Sequence, residues 1–192
     1  LFSNGIRSDI YTERLVQKMR RAGVYRVCLG IESGNQRVLD QIRKGLRLSD
    51  VEGFVTLLKK HGIDHWGYFM LGLPQDTMQS MADTIQFALK NRIKPHFHKT
   101  IAVPGTKLFN MVKHRLLGPI SAKKASYSAG GATFEMYPGQ QRQLQQALRT
   151  GYIRYYLSFN GLRDLARDAR SIHDLKWLVN SGLRIIQMFL VH

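Results

Sequence analysis

An α/β fold on a parallel sheet is what this sequence predicts, and three observations predict it. Strand-like apolar runs alternate with amphipathic segments of helical length from the start of the chain to about residue 117. Each such segment is long enough to carry the chain back over a sheet, which implies right-handed crossovers between parallel strands. Glycines stand where helices must stop, at Gly23 and near Gly62, because only glycine takes a left-handed turn at little cost.

Leu1-Phe2-Ser3 reads as the end of a strand. From Tyr11 to Ala22 the residues Leu15, Val16, Met19 and Ala22 recur at helical spacing. Residues 24–31 alternate, with Tyr25, Val27, Leu29 and Ile31 on one side and Val24, Arg26, Cys28 and Gly30 on the other. NQRVLDQIR sets Val38, Leu39 and Ile42 on one helical face. Ser49-Asp-Val-Glu52 has the pattern of a capping box and predicts a helix through Val51, Phe54, Val55 and Leu58. HWGYFML predicts a strand, and Asp76 or Thr77 a cap for a helix whose face is Met78, Met81, Ala82, Ile85 and Leu89. HFHKTIAV predicts a strand over 96–103, then a helix from about Lys107 to Leu117.

Beyond 117 the pattern changes. Residues 118–139, rich in Gly, Ser, Ala and Pro, read as a linker or loop. Residues 140–192 read as a basic helical region with segments at about 140–158, 161–169 and 171–190 and no strand between them.

Composition narrows the function classes. The 192 residues carry a formal charge of +16, with 29 Lys/Arg against 13 Asp/Glu, and the part after residue 105 is the more basic per residue. Such an excess speaks of anionic partners, whether nucleic acid, membrane surface or cofactor, and little of fold. One cysteine, Cys28, excludes a disulfide framework or a multi-thiolate metal site made from this chain alone. No run reaches the ~20 apolar residues of a membrane-spanning helix, and a cytoplasmic setting is the expectation. The opening LFSNG, without a methionine, is expected to continue a longer protein.

Parallel strands point one way, so the loops at their ends share one rim, where α/β proteins place their chemistry. That rim holds Ser3-Asn4-Gly5, Glu32-Ser33-Gly34, Gly72-Leu73-Pro74 and Pro104-Gly105-Thr106. One helix, 49–60, suffices to connect strand 24–31 to strand 65–71, so NQRVLDQIR is surplus. A surplus helix directly after a strand end lies across the rim and brings Lys44 to the mouth, across a pocket from Glu32. The pair suits a zwitterionic or hydroxyl-rich ligand. The plainer alternative is that Glu32 caps the next helix and Lys44 is a solvated surface base.

GIESGNQRVLDQIRKG over 30–45, then YFMLGLPQDT over 68–77 and AVPGT over 102–106, resembles the radical S-adenosylmethionine (radical SAM) superfamily across about residues 1–116. The resemblance implies the later part of a partial six-stranded parallel β/α barrel followed by a helical C-terminal region. It implies that Glu32 and Ser33 contact the ribose and methionyl part of S-adenosylmethionine and that Lys44 meets the methionyl carboxylate. Gly72, Leu73, Pro74, Val103 and Pro104 would line the adenine, with Asn4 facing the same pocket. The family holds a 4Fe-4S cluster through a C-x-x-x-C-x-x-C loop, and that loop is absent here. The cluster ligands would then lie in an N-terminal part of the same protein, and this chain alone would be inactive.

The tail LRTGYIRYYLSFNGLRDLARDARSIHDLKWLVNSGLRII interleaves Arg149, Arg154, Arg163 and Arg167 with Tyr152, Tyr155, Tyr156 and Phe159. It is similar to the C-terminal helices of the cobalamin-dependent radical SAM branch. That likeness implies a transferase that methylates or cyclises an unreactive carbon of a small-molecule or lipid-like substrate, with cobalamin as a further cofactor. Basic residues among aromatics also suit RNA, as in a tRNA methylthiotransferase-like or nucleic-acid-binding module. A non-catalytic truncated remnant is the third reading. His96 and His98 share one side of their strand, but no third metal ligand accompanies them.

Overall fold

The computed structural model describes residues 2–74, 76–117 and 133–168. Four parallel strands form one sheet in the order β1 (Phe2–Ile6), β2 (Arg26–Glu32), β3 (Asp64–Leu71), β4 (Lys94–Lys99). Helices α1 (Glu13–Arg21), α2 (Gln36–Gln41), α3 (Leu48–Lys60) and α4 (Met78–Lys90) lie between them, and α5 (Lys107–Val112) with a 3-10 turn (Lys113–Arg115) comes after β4. Sequential strands that pair in parallel, each joined by a helix, are the β/α barrel repeat the alternation predicts.

The sheet has two unlike faces. Along β3, His65, Gly67, Phe69 and Leu71 are buried, whereas Asp64, Trp66, Tyr68 and Met70 are half-buried. The buried face packs under Val16, Val51, Phe54, Val55, Leu58, Met81, Ile85 and Ala88 from α1, α3 and α4, which makes it the core. The other face carries Trp66, Tyr68, His96 and His98. Near the strand starts this face also carries charge: Arg26 and Lys94 stand over the Trp66 ring at 4.6 and 4.9 Å, and Arg26 donates to Asp64 at 2.7 Å.

Three expectations need adjusting. The capping box at Ser49–Glu52 does not form: α3 starts one residue earlier, its cap position Arg47 makes no side-chain bond, and the Leu48 N–H donates to Gln36 Oε1 at 3.0 Å. The cap is supplied by α2 across space, so local sequence could not show it. The last strand is 94–99 rather than 96–103; Pro95 fits because β4 is at the sheet edge, and Thr100 ends the strand by donating its N–H and hydroxyl to Leu71 O. Within the expected linker, Phe134 bridges Leu116 and is buried with Ala102 and Val112, with Met136 packed against them. Residues 118–132 of that linker, and the expected helix at 171–190, lie outside the described residues.

The chain divides into two compact units, 1–148 and 149–192. The first takes in the sheet, its helices and the first turns of α6 (Gln140–Tyr156), including buried Leu144, Ala147 and Leu148. In the second, the end of α6 and α7 (Phe159–Asp168) are joined by Tyr155, whose hydroxyl donates to Asp164 at 2.5 Å. No helix among the described residues is long and apolar enough to cross a membrane.

Candidate cofactor site

The C-terminal ends of the four strands share one rim, and the local chemistry there is set by two short devices. At the end of β2 the register with β3 slips between Gly30 and Glu32, so that an extra β2 residue enters the ladder. Glu32 sits in the left-handed region, φ 72°. A side chain in that conformation costs about 1–2 kcal/mol relative to the ordinary regions, so the surrounding structure must impose it.

The second device is α2. Asn35 caps it, its Oδ1 accepting from Val38 N–H at 3.2 Å. At the far end of the helix Arg43 turns left-handed (φ 55°), Arg43 N–H donates to Asp40 O and Lys44 N–H to Leu39 O, both at 3.0 Å. This is a Schellman closure, which reverses the chain and delivers Lys44 back toward the strand it left. Gln36 fixes the segment between α2 and α3, donating to Leu46 O at 3.0 Å while accepting from Leu48 N–H. Arg7, held by Asp9, also donates to Gly45 O.

The two devices meet. Lys44 Nζ donates to Glu32 Oε1 at 2.9 Å, with the side chains only 25% and 23% exposed. Expected across a pocket from each other, they are in direct contact. Both stand over Gly30: a Cβ there would lie 3.7 Å from Glu32 Oε1 and 3.8 Å from Lys44 Nζ. Beside it Gly5 is closely packed, since a Cβ there would meet Gly30 Cα at 3.1 Å and the Tyr68 ring at 3.4 Å. A polar pair above a floor of two glycines and a phenol ring is a cradle that added methyls would fill. It fits a ligand bearing both an ammonium and a carboxylate or hydroxyls, because Glu32 accepts and Lys44 donates.

The other expected residues lie on the strands and loops of the same rim in different ways. Gly72 (φ 81°) and buried Leu73 form the rim turn after β3, with Pro74 half-buried. Both Gly72 and Leu73 donate their N–H groups to Asp76 Oδ2 at 3.0 Å. Asn4 is exposed on β1, and Val103 and Pro104 are exposed after β4, where Val103 O accepts from Thr106. Ser33 is fully buried, and its hydroxyl contacts Thr84 Oγ1 at 3.2 Å and accepts from Asn35 N–H at 3.1 Å. Its side chain is committed to the scaffold.

Asp76 is the residue that sequence reasoning placed only as a possible helix cap; Thr77 is the cap, in a reciprocal box with Ser80. Burial raises the Asp76 pKa, against the opposing pull of Ser80 and of the Leu73 and Gly72 N–H donors. On the aromatic face of the sheet, His96 stacks on Trp66 at 4.7 Å and meets Tyr68 edge-on at 5.5 Å. Burial, with His98 and Lys94 nearby, pushes its pKa down to about 4, so the ring is neutral at physiological pH. Among the described residues no three His, Cys, Asp or Glu side chains come together to hold a metal. Cys28, the chain's one thiol, is buried in β2. These residues do not fit an iron–sulfur cluster.

Comparison with known proteins bears on the family and the fold. The Radical SAM superfamily profile matches residues 1–88. An uncharacterized methyltransferase of Pyrococcus horikoshii is 30% identical over 154 residues, covering 79% of this chain and 33% of that protein. The bacteriochlorophyllide d C-12(1)-methyltransferase of Chlorobaculum tepidum is 37% identical over 98 residues, covering 50% of this chain and 22% of its own length. Coproporphyrinogen III oxidase of Escherichia coli, a solved radical SAM enzyme, superposes with a TM-score of 0.57 at 13% identity over 78% of this chain and 31% of its own, a likeness of fold. The chain thus spans a third or less of each.

Proposed function

We propose, from the match of residues 1–88 to the radical SAM superfamily profile, that this chain supplies the S-adenosylmethionine-binding half of a longer methyltransferase. The observation that carries the reading is the Glu32–Lys44 pair held over Gly5 and Gly30. Glu32 would accept from the ligand's ammonium or ribose hydroxyls, and Lys44 would neutralise its carboxylate. The turn at Gly72-Leu73-Pro74 would border the adenine, with Val103 and Pro104 on its outer side and Asn4 at the opposite edge. When bound, S-adenosylmethionine supplies an activated methyl group and a sulfonium open to reduction.

The role of this chain's own residues is orientation. A ligand gripped at both charged ends of its methionyl group would have one way to lie, with the Tyr68 ring beside Gly5 at its floor. The cluster that would furnish electrons has its ligands elsewhere in the protein. The relatives named as methyltransferases support methyl transfer, and one named as a cyclase supports cyclisation as a second reading. The likeness of the tail to the cobalamin-dependent branch supports a cobalamin domain on another part of the same protein.

Calorimetric titration of the full-length protein with S-adenosylmethionine tests this. Lys44→Ala is expected to weaken binding by about tenfold or more, the loss of a charge-assisted hydrogen bond of roughly 1.5–3 kcal/mol. Equal affinity in the two proteins would remove Lys44 from the site.

A further inference from the structure

Helix α4 lies outside the Glu32–Lys44 pair, yet it and the turn before it bury three polar side chains, Asp76, Ser80 and Thr84, at 5%, 6% and 1% exposure. Ser80 and Thr84, four apart, share one stripe of the helix, and Asp76, just before its cap, joins that stripe through the Ser80 hydroxyl. Buried polar groups on a face otherwise built of Met81, Ile85 and Ala88 need partners, and theirs are the two rim loops.

At the upper end, Asp76 Oδ2 accepts from Gly72 and Leu73 N–H, each at 3.0 Å, and Asp76 Oδ1 accepts from the Ser80 hydroxyl at 2.7 Å. At the lower end, Thr84 donates to Ser80 O at 2.9 Å. That commits its one proton, so Thr84 Oγ1 is the acceptor for Gly34 N–H at 3.0 Å and for the Ser33 hydroxyl at 3.2 Å. Ser33 in turn accepts from Asn35 N–H, the residue that caps α2. Asn35 Nδ2 donates to Asp83 Oδ2 at 2.7 Å, a second tie between the same loop and α4. Gly34 makes the approach feasible, since a Cβ there would come within 2.6 Å of Phe87 Cβ and 2.7 Å of Thr84 Cα.

We infer that Asp76, Ser80 and Thr84 form a buried polar spine that sets the β2–α2 loop, with Glu32, and the β3–α4 turn, with Gly72 and Leu73, in one fixed relation. They are positioning residues for the ligand held at that rim. The inference deepens the reading of the rim as an S-adenosylmethionine site and rests on it for the identity of the ligand.

The test uses Thr84→Val, Thr84→Ser and Asp76→Asn in the full-length protein, with two readouts. The first is backbone amide exchange, which needs no ligand. Thr84→Val is expected to speed exchange at Gly34, and Asp76→Asn at Gly72 and Leu73, by about tenfold or more. The second is S-adenosylmethionine affinity by calorimetry. Thr84→Val is expected to weaken it by about tenfold, and Thr84→Ser, which keeps the hydroxyl but loses the methyl, to restore it to within about threefold of the unsubstituted protein.

A packing role predicts the reverse order, with Ser no better than Val, and that result overturns the spine. Unchanged exchange at all three amides overturns it as well. Should Thr84→Val fail to fold, Thr84→Ser and Asp76→Asn still decide. An unsubstituted protein that does not bind S-adenosylmethionine, while the exchange pattern tracks the hydroxyls, refutes the ligand and leaves the spine.

Discussion

Lys44 Nζ lies 2.9 Å from Glu32 Oε1 although a complete helix separates them in the chain. The contact is made by backbone geometry at both ends: a left-handed Glu32 in a strand bulge and a left-handed Arg43 in a helix closure. Neither is a conformation that a lone salt bridge of this exposure, worth about 1 kcal/mol or less, would impose.

Glu32→Gly should therefore separate stability from binding. Glycine relieves the strain at φ 72°, which offsets the lost ion pair. The melting midpoint is expected to stay the same or rise, while S-adenosylmethionine affinity falls by tenfold or more. A loss of stability above about 1 kcal/mol would mean that Glu32 holds the fold rather than the ligand.

Gly30→Ala makes a complementary prediction. Its Cβ would make only ordinary contacts, at 3.7–3.8 Å, so the fold should tolerate it within about 0.5 kcal/mol. The same methyl occupies the floor beneath the Glu32–Lys44 pair, and ligand affinity should drop. Denaturant unfolding and calorimetry on one preparation would show whether the two effects part.

Gly34→Ala should do the opposite, costing roughly 2–3 kcal/mol or preventing folding, because its Cβ would press on the backbone of α4 and on Phe87. Wild-type melting behaviour in this variant would contradict the close packing of loop on helix.

Stability should fall as pH drops from about 6.5 toward 4. Unfolded histidines take a proton near 6.5, whereas burial holds His65 lower and His96 down to about 4. Across that window the unfolded state binds more protons, so stability rises with pH. His96→Phe should flatten the slope between pH 6.5 and 4.5 in thermal melts. Below that range Glu13, Glu52 and Asp9, all shifted down by their partners, add a loss of the same sign, opposed by Asp76, which burial shifts up.

How much of this was legible in the sequence depends on whether the cause is local. Val51, Phe54, Val55 and Leu58 repeat at helical spacing, and all four are buried as the repeat requires. The surplus helix 36–41 and its delivery of Lys44 were also legible, because counting crossovers needs only chain order. What was not legible depends on partners distant in the chain. The α3 cap comes from Gln36, the strain at Glu32 from a slipped register, and the commitment of Ser33 from Thr84 on another element. Asp76, Ser80 and Thr84 did leave a trace, polar residues four apart among apolar ones, but a stripe acquires meaning only once the loops it meets are known.

The closure of α2 has a consequence for how this region can change length. Lys44 is aimed by where a six-residue helix stops, and each residue added to an α-helix turns its end by about 100° and advances it about 1.5 Å. One inserted residue between Gln36 and Gln41 would swing the lysine out of reach of Glu32. About a full turn of extra helix would restore its heading but carry it some 5 Å too far. Insertions and deletions in this segment should consequently be as damaging as the loss of the lysine itself, whereas substitutions on its exposed side should pass unnoticed.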